Sequence, residues 1–355
     1  MGRIKLDYSL PEELIAQSPS QERENSRLLV LSRNGGGEPM IEHKRFSDIL
    51  NYVRPGDCIV INNTKVFPAK IFCNKDTGGR VELLFLKSGL NNRWTVLSRR
   101  DLLGRSVVFP DTTGAKCVGR TGNGEYIIEF RDGVDVFALL EKYGIMPLPP
   151  YIHRDGSGEQ SGNAGVRDEV HGTDFERYQT VYADVTGSVA CPTAGLHFTH
   201  DLLGQLEKKG VEVVRILLHI GWGTFRPIRT ENVHEHKMLP EYFEVSEGAA
   251  ERVNLCRRKG GRVFGVGTSV VRSLEASSDE DGCVRAFSGE TDLFIYPGYR
   301  FKTIDALITN FHLPMTTPLA LVSAFAGAEI IFHSYREAIK NKYRFYSYGD
   351  AMLIL

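Results

Sequence analysis

Runs of apolar residues separated by turn-forming residues occupy the first quarter of the chain. Residues 27–31 and 58–62 are mostly apolar and border on polar turn segments, which predicts buried strands. A further strand is predicted at residues 6–8. Proline and acidic residues open residues 11–16, and Pro-Gly-Asp follows residues 46–53, so both stretches are predicted to be helices. This order of elements predicts a layered domain of strands and helices.

The next 80 residues change to short β-rich runs with regular turns. The Asn123-Gly124 pair is a strong hairpin signal. Short strands at regular spacing predict a small antiparallel barrel or sandwich, which is followed by a predicted helix at residues 134–143. We interpret residues 68–147 as a β-barrel domain inserted into a discontinuous catalytic domain, residues 1–67 plus 148–355.

Helix and strand patterns alternate through the second half. Residues 154–173, rich in Gly, Asp and Ser, predict a mobile loop. The last predicted helix begins with Thr317 as N-cap and Pro318 as first residue. This alternation predicts an α/β (α+β) main domain that gathers ligands at its strand-to-helix loops. The elements predicted here are helices at 200–209, 269–277 and 317–327 and strands at 211–221, 262–266, 293–296 and 306–309.

Composition narrows the class of protein. Of 355 residues, 42% are hydrophobic and 25% are charged, which excludes a largely disordered chain, a collagen and a coiled-coil rod. Lys and Arg total 43 against 44 Asp and Glu, which excludes a generally basic nucleic-acid coat but not a local basic patch. No uncharged run is long enough to span a bilayer, and the N-terminus lacks a signal-peptide pattern. With six dispersed cysteines, the expectation is a soluble cytoplasmic protein with reduced thiols.

Two loops place histidines beside small residues. Residues 188–199 precede a predicted helix, and His197 in this loop is a candidate proton donor or acceptor. The alternative is a hydrogen-bonded structural histidine, which spacing alone favours. His219 alternates with the apolar Leu218 and Ile220 and is followed by a Gly-x-Gly pair that, read alone, is more typical of a bulge than of a dinucleotide site.

Two further strand-to-helix loops carry polar residues. Gly267-Thr268-Ser269 precedes a helix on which Arg272 and Glu275 share a face, which is suited to an anion. The alternative is an exposed i,i+3 ion pair. The segment at 310–314 holds Asn310 and His312. His234 and His236 lack further ligands at a workable spacing, so no metal is expected. A basic, tyrosine-rich strip is an RNA-binding candidate, and the alternative is that its charged residues form an ordinary solvated surface. It comprises Lys340, Lys342, Tyr343, Arg344, Tyr346 and Tyr348.

Exact strings along nearly the whole chain identify a resemblance. The chain resembles the S-adenosylmethionine:tRNA ribosyltransferase-isomerase family of bacterial queuosine biosynthesis, whose segments it carries in the same order. The matching strings are LDYSLPEELIAQSP, RENSRLLVL, PGDCIVINNTKVFPAK, PLPPYI, RYQTVYA, GSVACPTAGLHFT, LLHIGWGTFRPI, GVGTSVVRSLE, IYPGYRF, NFHLP and YRFYSYGDAMLI.

The resemblance implies a reaction and its partners. The family transfers the ribosyl portion of S-adenosylmethionine, a consumed substrate, to 7-aminomethyl-7-deazaguanine at the tRNA wobble position. It gives epoxyqueuosine and releases adenine and methionine. The sulfonium acidifies the neighbouring hydrogens, so groups titrating near pH 7 suffice and no metal is needed. We expect a monomer that binds S-adenosylmethionine and this tRNA.

The motif loops then supply the candidate site residues. Acid and base roles are assigned among His197, His219 and His312, with the individual roles left open. The substrate-binding candidates are Gly267, Thr268, Ser269 and Arg272 for the methionine end, Thr193, Gly195 and Phe198 for adenosine, and also Gly221, Gly223, Thr224, Glu275 and Asn310.

The chain departs from the family pattern at three places. Leu239 replaces a histidine, Gly-Thr-Thr-Ser becomes Gly267-Thr268-Ser269-Val270, and Pro318 stands where an aliphatic residue is common. The departures at Leu239 and Val270 leave open a tRNA-binding protein without turnover. A second rival is a nucleosidase-like hydrolase that releases adenine without RNA. RNA-dependence of adenine release separates the three hypotheses.

Overall fold

The computed structural model describes residues 6–33, 39–154, 169–230 and 232–355. Residues 155–168, most of the loop predicted at 154–173, lie outside the described residues. The chain divides into two compact units. One comprises Met1–Thr64, Gln179–Val185 and Cys191–Leu355, and the other comprises Lys65–Tyr178 and Thr186–Ala190.

Strands and helices are numbered in chain order. The strands are β1 (Arg27–Ser32), β2 (Met40–Arg45), β3 (Cys58–Asn62), β4 (Thr64–Val66), β5 (Lys70–Lys75), β6 (Arg80–Ser88), β7 (Arg93–Leu97), β8 (Ser106–Val108), β9 (Gly114–Arg120), β10 (Tyr126–Phe130), β11 (Val185–Ser188), β12 (Glu212–Leu218), β13 (Glu241–Val245), β14 (Val263–Val266), β15 (Phe287–Thr291), β16 (Ala306–Asn310) and β17 (Ala351–Ile354). The α-helices are α1 (Val136–Tyr143), α2 (Glu169–Arg177), α3 (His200–Lys208), α4 (Glu247–Arg258), α5 (Thr268–Ser277), α6 (Thr317–Ala326) and α7 (Ala328–Lys340).

The first unit is built on a mixed sheet with the order β15-β13-β12-β3-β14-β16-β17-β1-β2. The four strands β12, β3, β14 and β16 are mutually parallel, and β17 runs antiparallel to β16. All five residues of β3 are buried, as the near-continuous apolar run of a central parallel strand requires. Ile59 and Ile61 on one face join a core with Phe198 and Leu202, while α5 packs against β3, β12 and β14.

The second unit contains a closed barrel with the order β10-β7-β6-β5-β8-β9, in which neighbouring strands are antiparallel. Alternate residues point inward, and Phe85, Trp94, Phe109 and Phe130 make aromatic contacts among them. Helix α1 follows, with Asp135 as its N-cap. The mixed α/β sheet and the closed antiparallel barrel confirm the predicted fold class.

Several predicted elements differ from the structure. Residues 6–8 are not a strand, and the helices predicted at 11–16 and 46–53 are shorter 3-10 turns, Glu12–Leu14 and Phe46–Asn51. Helix α6 has Thr316 as its N-cap, so that Thr317 is already helical.

The strand predicted at residues 293–296 is wrong. The Leu293 carbonyl accepts a bond from Arg272 Nε at 2.9 Å, and the Leu293 amide donates to Thr291 Oγ1 at 3.2 Å. Side chains therefore satisfy the backbone groups that a strand ladder would use. The strand in this region is β15, which lies just before it.

No single described helix is long and apolar enough to cross a membrane. Helices α6 and α7 together have the length and apolar composition of a span, but the pair is bent by 110° at the break between them.

Candidate active site

One edge of the main sheet collects most of the sequence-predicted site residues. The carboxyl ends of β12, β3, β14 and β16 lie at this edge because the four strands are parallel. Strand β17 begins there, opposite Asn310, and β1 begins there beside it. Open α/β sheets bind ligands outside the carboxyl ends of their strands.

Asn62, the last residue of β3, connects three elements at this edge. Its side-chain oxygen accepts bonds from the amides of Leu218 (3.0 Å) and Thr64 (3.1 Å). Its amide nitrogen donates to Leu218 O (2.9 Å) and Ser269 Oγ (3.2 Å). Four bonds from one fully buried side chain fix the ends of β3 and β12 and the start of α5. Sequence reasoning missed this residue, although the polar Asn-Asn-Thr after a buried strand marked it.

His219 follows β12 and is half-buried. Its Nδ1 lies 2.9 Å from Thr64 Oγ1, and its ring stacks on Tyr242 with centroids 5.8 Å apart. Among the described residues, Nε2 has no hydrogen-bond partner. Burial lowers the pKa of His219 below its usual 6.5, so the imidazole is neutral at pH 7.

His312 follows β16 and is held through Nε2, the ring nitrogen opposite to the one that holds His219. Its Nε2 lies 2.7 Å from Thr309 Oγ1, while no described residue bonds its Nδ1. The backbone is also fixed, because Tyr335 Oη accepts from the His312 amide at 2.9 Å and Tyr8 Oη donates to its carbonyl. Burial lowers the pKa of His312 to about 3, which keeps this ring neutral as well.

His197 is buried and both of its ring nitrogens are engaged. Nδ1 lies 2.7 Å from Ser26 Oγ, and Asn310 Nδ2 lies 3.3 Å from Nε2. Ser26 Oγ donates to Arg23 O and Asn310 Nδ2 is itself a donor, so the network assigns the proton to Nδ1 and a neutral ring. Burial, and then the charge of Arg344, lower the pKa of His197 to about 3. These contacts favour the structural alternative for this histidine.

The loop that carries His197 forms a 3-10 turn, Thr193–His197. A side chain at Gly195 would overlap Tyr182 Oη, which explains the glycine. Thr193 is half-buried, whereas Phe198 has no exposed surface and packs edge-on against Phe46 with centroids 4.9 Å apart. The structure thus places Thr193 and Gly195 in the loop and Phe198 in the core beneath it.

The turn between β14 and α5 brings small residues to the same edge. Gly267 has φ +87°, a conformation that side chains disfavour, and its amide donates to Ile308 O at 2.8 Å. A side chain there would also contact Ala194 of the 3-10 turn. Thr268 is half-buried and opens α5, while the Ser269 hydroxyl accepts the bond from Asn62.

Arg272 and Glu275 are buried, so the alternative of an exposed ion pair is wrong. Arg272 pairs with Glu241, which sequence reasoning missed, and it also donates to the carbonyls of Leu293 and Thr291. The other oxygen of Glu241 accepts from the Gly221 amide at 2.7 Å. Glu275 instead accepts backbone amides at residues 302–304 and the Tyr299 hydroxyl.

The remaining glycine loop and Asn310 complete the edge. Gly223 and Thr224 lie in a 3-10 turn, Trp222–Phe225, where a side chain on Gly223 would press on Leu239. Asn310 Nδ2 also donates to Tyr346 O at 3.1 Å. The Asn310 oxygen is buried with no partner among the described residues, and Tyr346 has φ +69°.

The three histidines share the edge but not one cluster. His197 and Asn310 are in contact, and His312 follows Asn310 by two residues. The ends of β12 and β16 are three strand spacings apart, or about 14 Å. Among the described residues, no group of three His, Cys, Asp or Glu side chains could hold a metal ion.

An α/β sheet that collects polar side chains at the carboxyl ends of its strands is an architecture in which many enzymes bind ligands at the sheet edge. Comparison with known proteins identifies which enzymes share it. The model of the queuosine biosynthesis protein family matches residues 4–354, and the chain belongs to that family. This confirms the resemblance found in the sequence.

Three relatives carry the name S-adenosylmethionine:tRNA ribosyltransferase-isomerase. The protein of Symbiobacterium thermophilum is 49% identical over 98% of each chain, and that of Thermoanaerobacter sp. is 45% identical over 100% of each. The protein of Halothermothrix orenii is 48% identical over 99% of each. The crystal structure of the S-adenosylmethionine tRNA ribosyltransferase of Thermotoga maritima is similar with a TM-score of 0.53, 35% identity and 99% coverage of each chain.

Proposed function

We propose that this protein transfers and isomerises the ribosyl moiety of S-adenosylmethionine onto 7-aminomethyl-7-deazaguanine at the tRNA wobble position. The product would be epoxyqueuosine, with adenine and methionine released. The names of its full-length relatives support the enzyme class, with S-adenosylmethionine and tRNA as substrates. We further propose a monomeric, cytoplasmic enzyme that requires no metal.

One observation about the site carries the chemistry. His219 and His312 are each held by a threonine through one ring nitrogen and leave the other nitrogen unbonded within the described residues. Burial keeps both rings neutral at pH 7. A neutral, oriented imidazole can accept a proton made acidic by the neighbouring sulfonium.

The remaining candidates supply binding and orientation in this proposal. The half-buried Thr193 and Thr268 flank the contact between the 3-10 turn and Gly267, where a ligand can approach the backbone closely. Arg272 and Glu275 are saturated by protein partners, so we propose that they shape the site from beneath. His197 and Asn310 hold the loop in place.

A single assay tests the reaction. The protein is incubated with S-adenosylmethionine and tRNA that carries the deazaguanine precursor, and the digested tRNA is analysed for the epoxycyclopentane nucleoside. Adenine should appear in equal amount and only when the modified tRNA is present. Adenine without RNA would indicate a hydrolase, and tRNA binding without adenine would indicate a protein that only binds RNA.

The affinity for RNA should fall with salt. The overall charge is −1, so phosphate contacts must come from local Lys and Arg clusters. Neutralising about three to six phosphates predicts a slope of roughly −2 to −5 in log K against log salt concentration. Filter binding or fluorescence anisotropy at several salt concentrations measures it, and a slope near zero would contradict basic-cluster binding.

We also propose that the barrel unit, predicted from sequence at residues 68–147, supports tRNA binding and not chemistry. Arg99 and Arg100 are exposed in this unit, so R99Q/R100Q should raise KM for tRNA and leave kcat nearly unchanged. Each lost phosphate contact should reduce the salt slope by about 1. The matched control R99K/R100K keeps the charge and should keep KM. A large fall in kcat with intact folding would contradict this division.

A further inference from the structure

The last residue of β3 holds the end of β12 in a fixed position. Asn62 bonds both backbone groups of Leu218, the residue before His219. The His219 amide donates to Tyr242 O at 2.9 Å on the other side. The backbone that carries His219 is therefore fixed from two neighbouring strands, and the orientation of its ring is the remaining freedom.

Thr64 removes that freedom. Its hydroxyl oxygen lies 2.9 Å from His219 Nδ1, and Thr64 itself has no exposed surface, so water does not compete at this contact. Tyr242 stacks against the ring with an interplanar angle of 27°. Nδ1 thus faces the protein interior, and Nε2 is the nitrogen left for a substrate.

We propose that Thr64 is a positioning residue that accepts the Nδ1 proton of His219 and so fixes the tautomer in which Nε2 carries the lone pair. This inference rests on the proposed function, in which His219 acts as a base. Which nitrogen carries the proton is set by the bond that the other nitrogen makes. Only the Nδ1-protonated form presents a basic atom on the accessible side.

No charged group among the described residues contributes to the lowered pKa of His219. The ionisable side chains on the elements packed against the end of β12 include Tyr242 and Glu241 of β13 and Arg272 of α5. Glu241 is paired with Arg272, and burial is the cause that lowers the His219 pKa. The hydroxyl of Thr64 is the described side-chain group that bonds the ring, and it selects the tautomer by acting as the acceptor of the Nδ1 proton.

The test compares Thr64→Val with Thr64→Ser in the full-length protein. T64V keeps the shape but removes the acceptor, so kcat should fall about tenfold, the effect of losing one hydrogen bond. KM for S-adenosylmethionine should change less than about twofold, and T64S should keep most of kcat. Ser323→Ala, which removes a buried hydroxyl with no partner among the described residues, is the control and should leave kcat unchanged.

Two readouts separate positioning from a purely structural role. A bond to Nδ1–H stabilises the imidazolium, so T64V should move the acid limb of the kcat profile to lower pH. Nitrogen-15 NMR of labelled histidine should show Nε2 losing its unprotonated character in T64V. A T64V protein with normal kcat, pH profile and tautomer would overturn the inference while the proposed function stands, provided His219→Ala is inactive. Normal kcat in His219→Ala would overturn both the base role and the inference.

Discussion

Replacing His219 or His312 by alanine is expected to lower kcat by roughly 100- to 10,000-fold, the range for loss of a general acid or base. His197→Ala should instead leave kcat within a few-fold and lower the free energy of unfolding. The difference follows from the contacts. His219 and His312 each keep one nitrogen unbonded within the described residues, while both nitrogens of His197 are used inside the protein.

His197→Ala should lower the unfolding free energy because it removes packing contacts and leaves a hydrogen-bond donor without its acceptor. Alanine leaves a cavity beside Phe46 and removes the acceptor of Asn310 Nδ2. A loss of about 2–4 kcal/mol in unfolding free energy is expected, measured by urea titration. KM for S-adenosylmethionine should change little in all three alanine variants.

The pH profile provides a second measurement. A base acts in its neutral form, so activity should rise with pH through the folded-state pKa, which burial places below 6.5 for both His219 and His312. That acid limb should disappear in the variant that removes the responsible histidine. The pKa of His197 is lower in the folded state than in the unfolded state. Its contribution to the unfolding free energy is therefore fully present above about pH 6.5 and is lost as the pH falls toward 3. His197→Ala should abolish this pH dependence.

A different outcome would redirect the mechanism. If His219→Ala and His312→Ala both keep near-normal kcat on precursor tRNA, histidine acid–base catalysis is wrong for this protein. Proton transfer would then fall to a carboxylate, to a tyrosine such as Tyr348, or to the amine and adenine nitrogens of the substrates. If only His197→Ala is inactive while folded, the structural reading of His197 is wrong.

The barrel shows what sequence patterns predict well. Its strands β5 to β10 form where short runs of alternating apolar and polar residues between turns predicted strands. Each of these strands is marked by its own residues and by the turn that follows it. The same local reasoning failed at residues 293–296. That segment is apolar enough for a strand, but Arg272, which lies 21 residues earlier, takes its carbonyl. Pairing at this distance leaves no local pattern.

The sequence predicted which loops form the candidate site. It did not predict which side chains in those loops are buried and which are hydrogen-bonded within the protein. Topology brings the ends of β12, β3, β14 and β16 to one edge, as parallel strands require. The spacing that made His197, His219 and His312 candidates does not report burial or hydrogen-bond saturation, which here separate His197 from the others. Asn62 joins β3 to β12 and α5 through contacts with residues more than 150 positions away.

Removing one member of the Arg272–Glu241 pair should destabilise the protein strongly. Both side chains are buried, and Arg272→Met leaves the Glu241 carboxylate with the Gly221 amide as its remaining described partner. An uncompensated buried charge of this kind costs about 3–5 kcal/mol. Urea titration of R272M should show that loss, whereas R272M/E241Q, which removes both charges, should recover part of it.

Arg285 provides the matched control, because its pair with Asp279 is exposed. R285M should leave the unfolding free energy nearly unchanged, as is usual for exposed surface pairs. Because the Arg272 guanidinium is bonded to Glu241 and to the carbonyls of Leu293 and Thr291, KM for S-adenosylmethionine should rise in R272M only as far as the fold is destabilised. An R272M protein of unchanged stability with a KM raised tenfold or more would instead show that Arg272 binds the methionine end, and that the pair with Glu241 opens when substrate arrives.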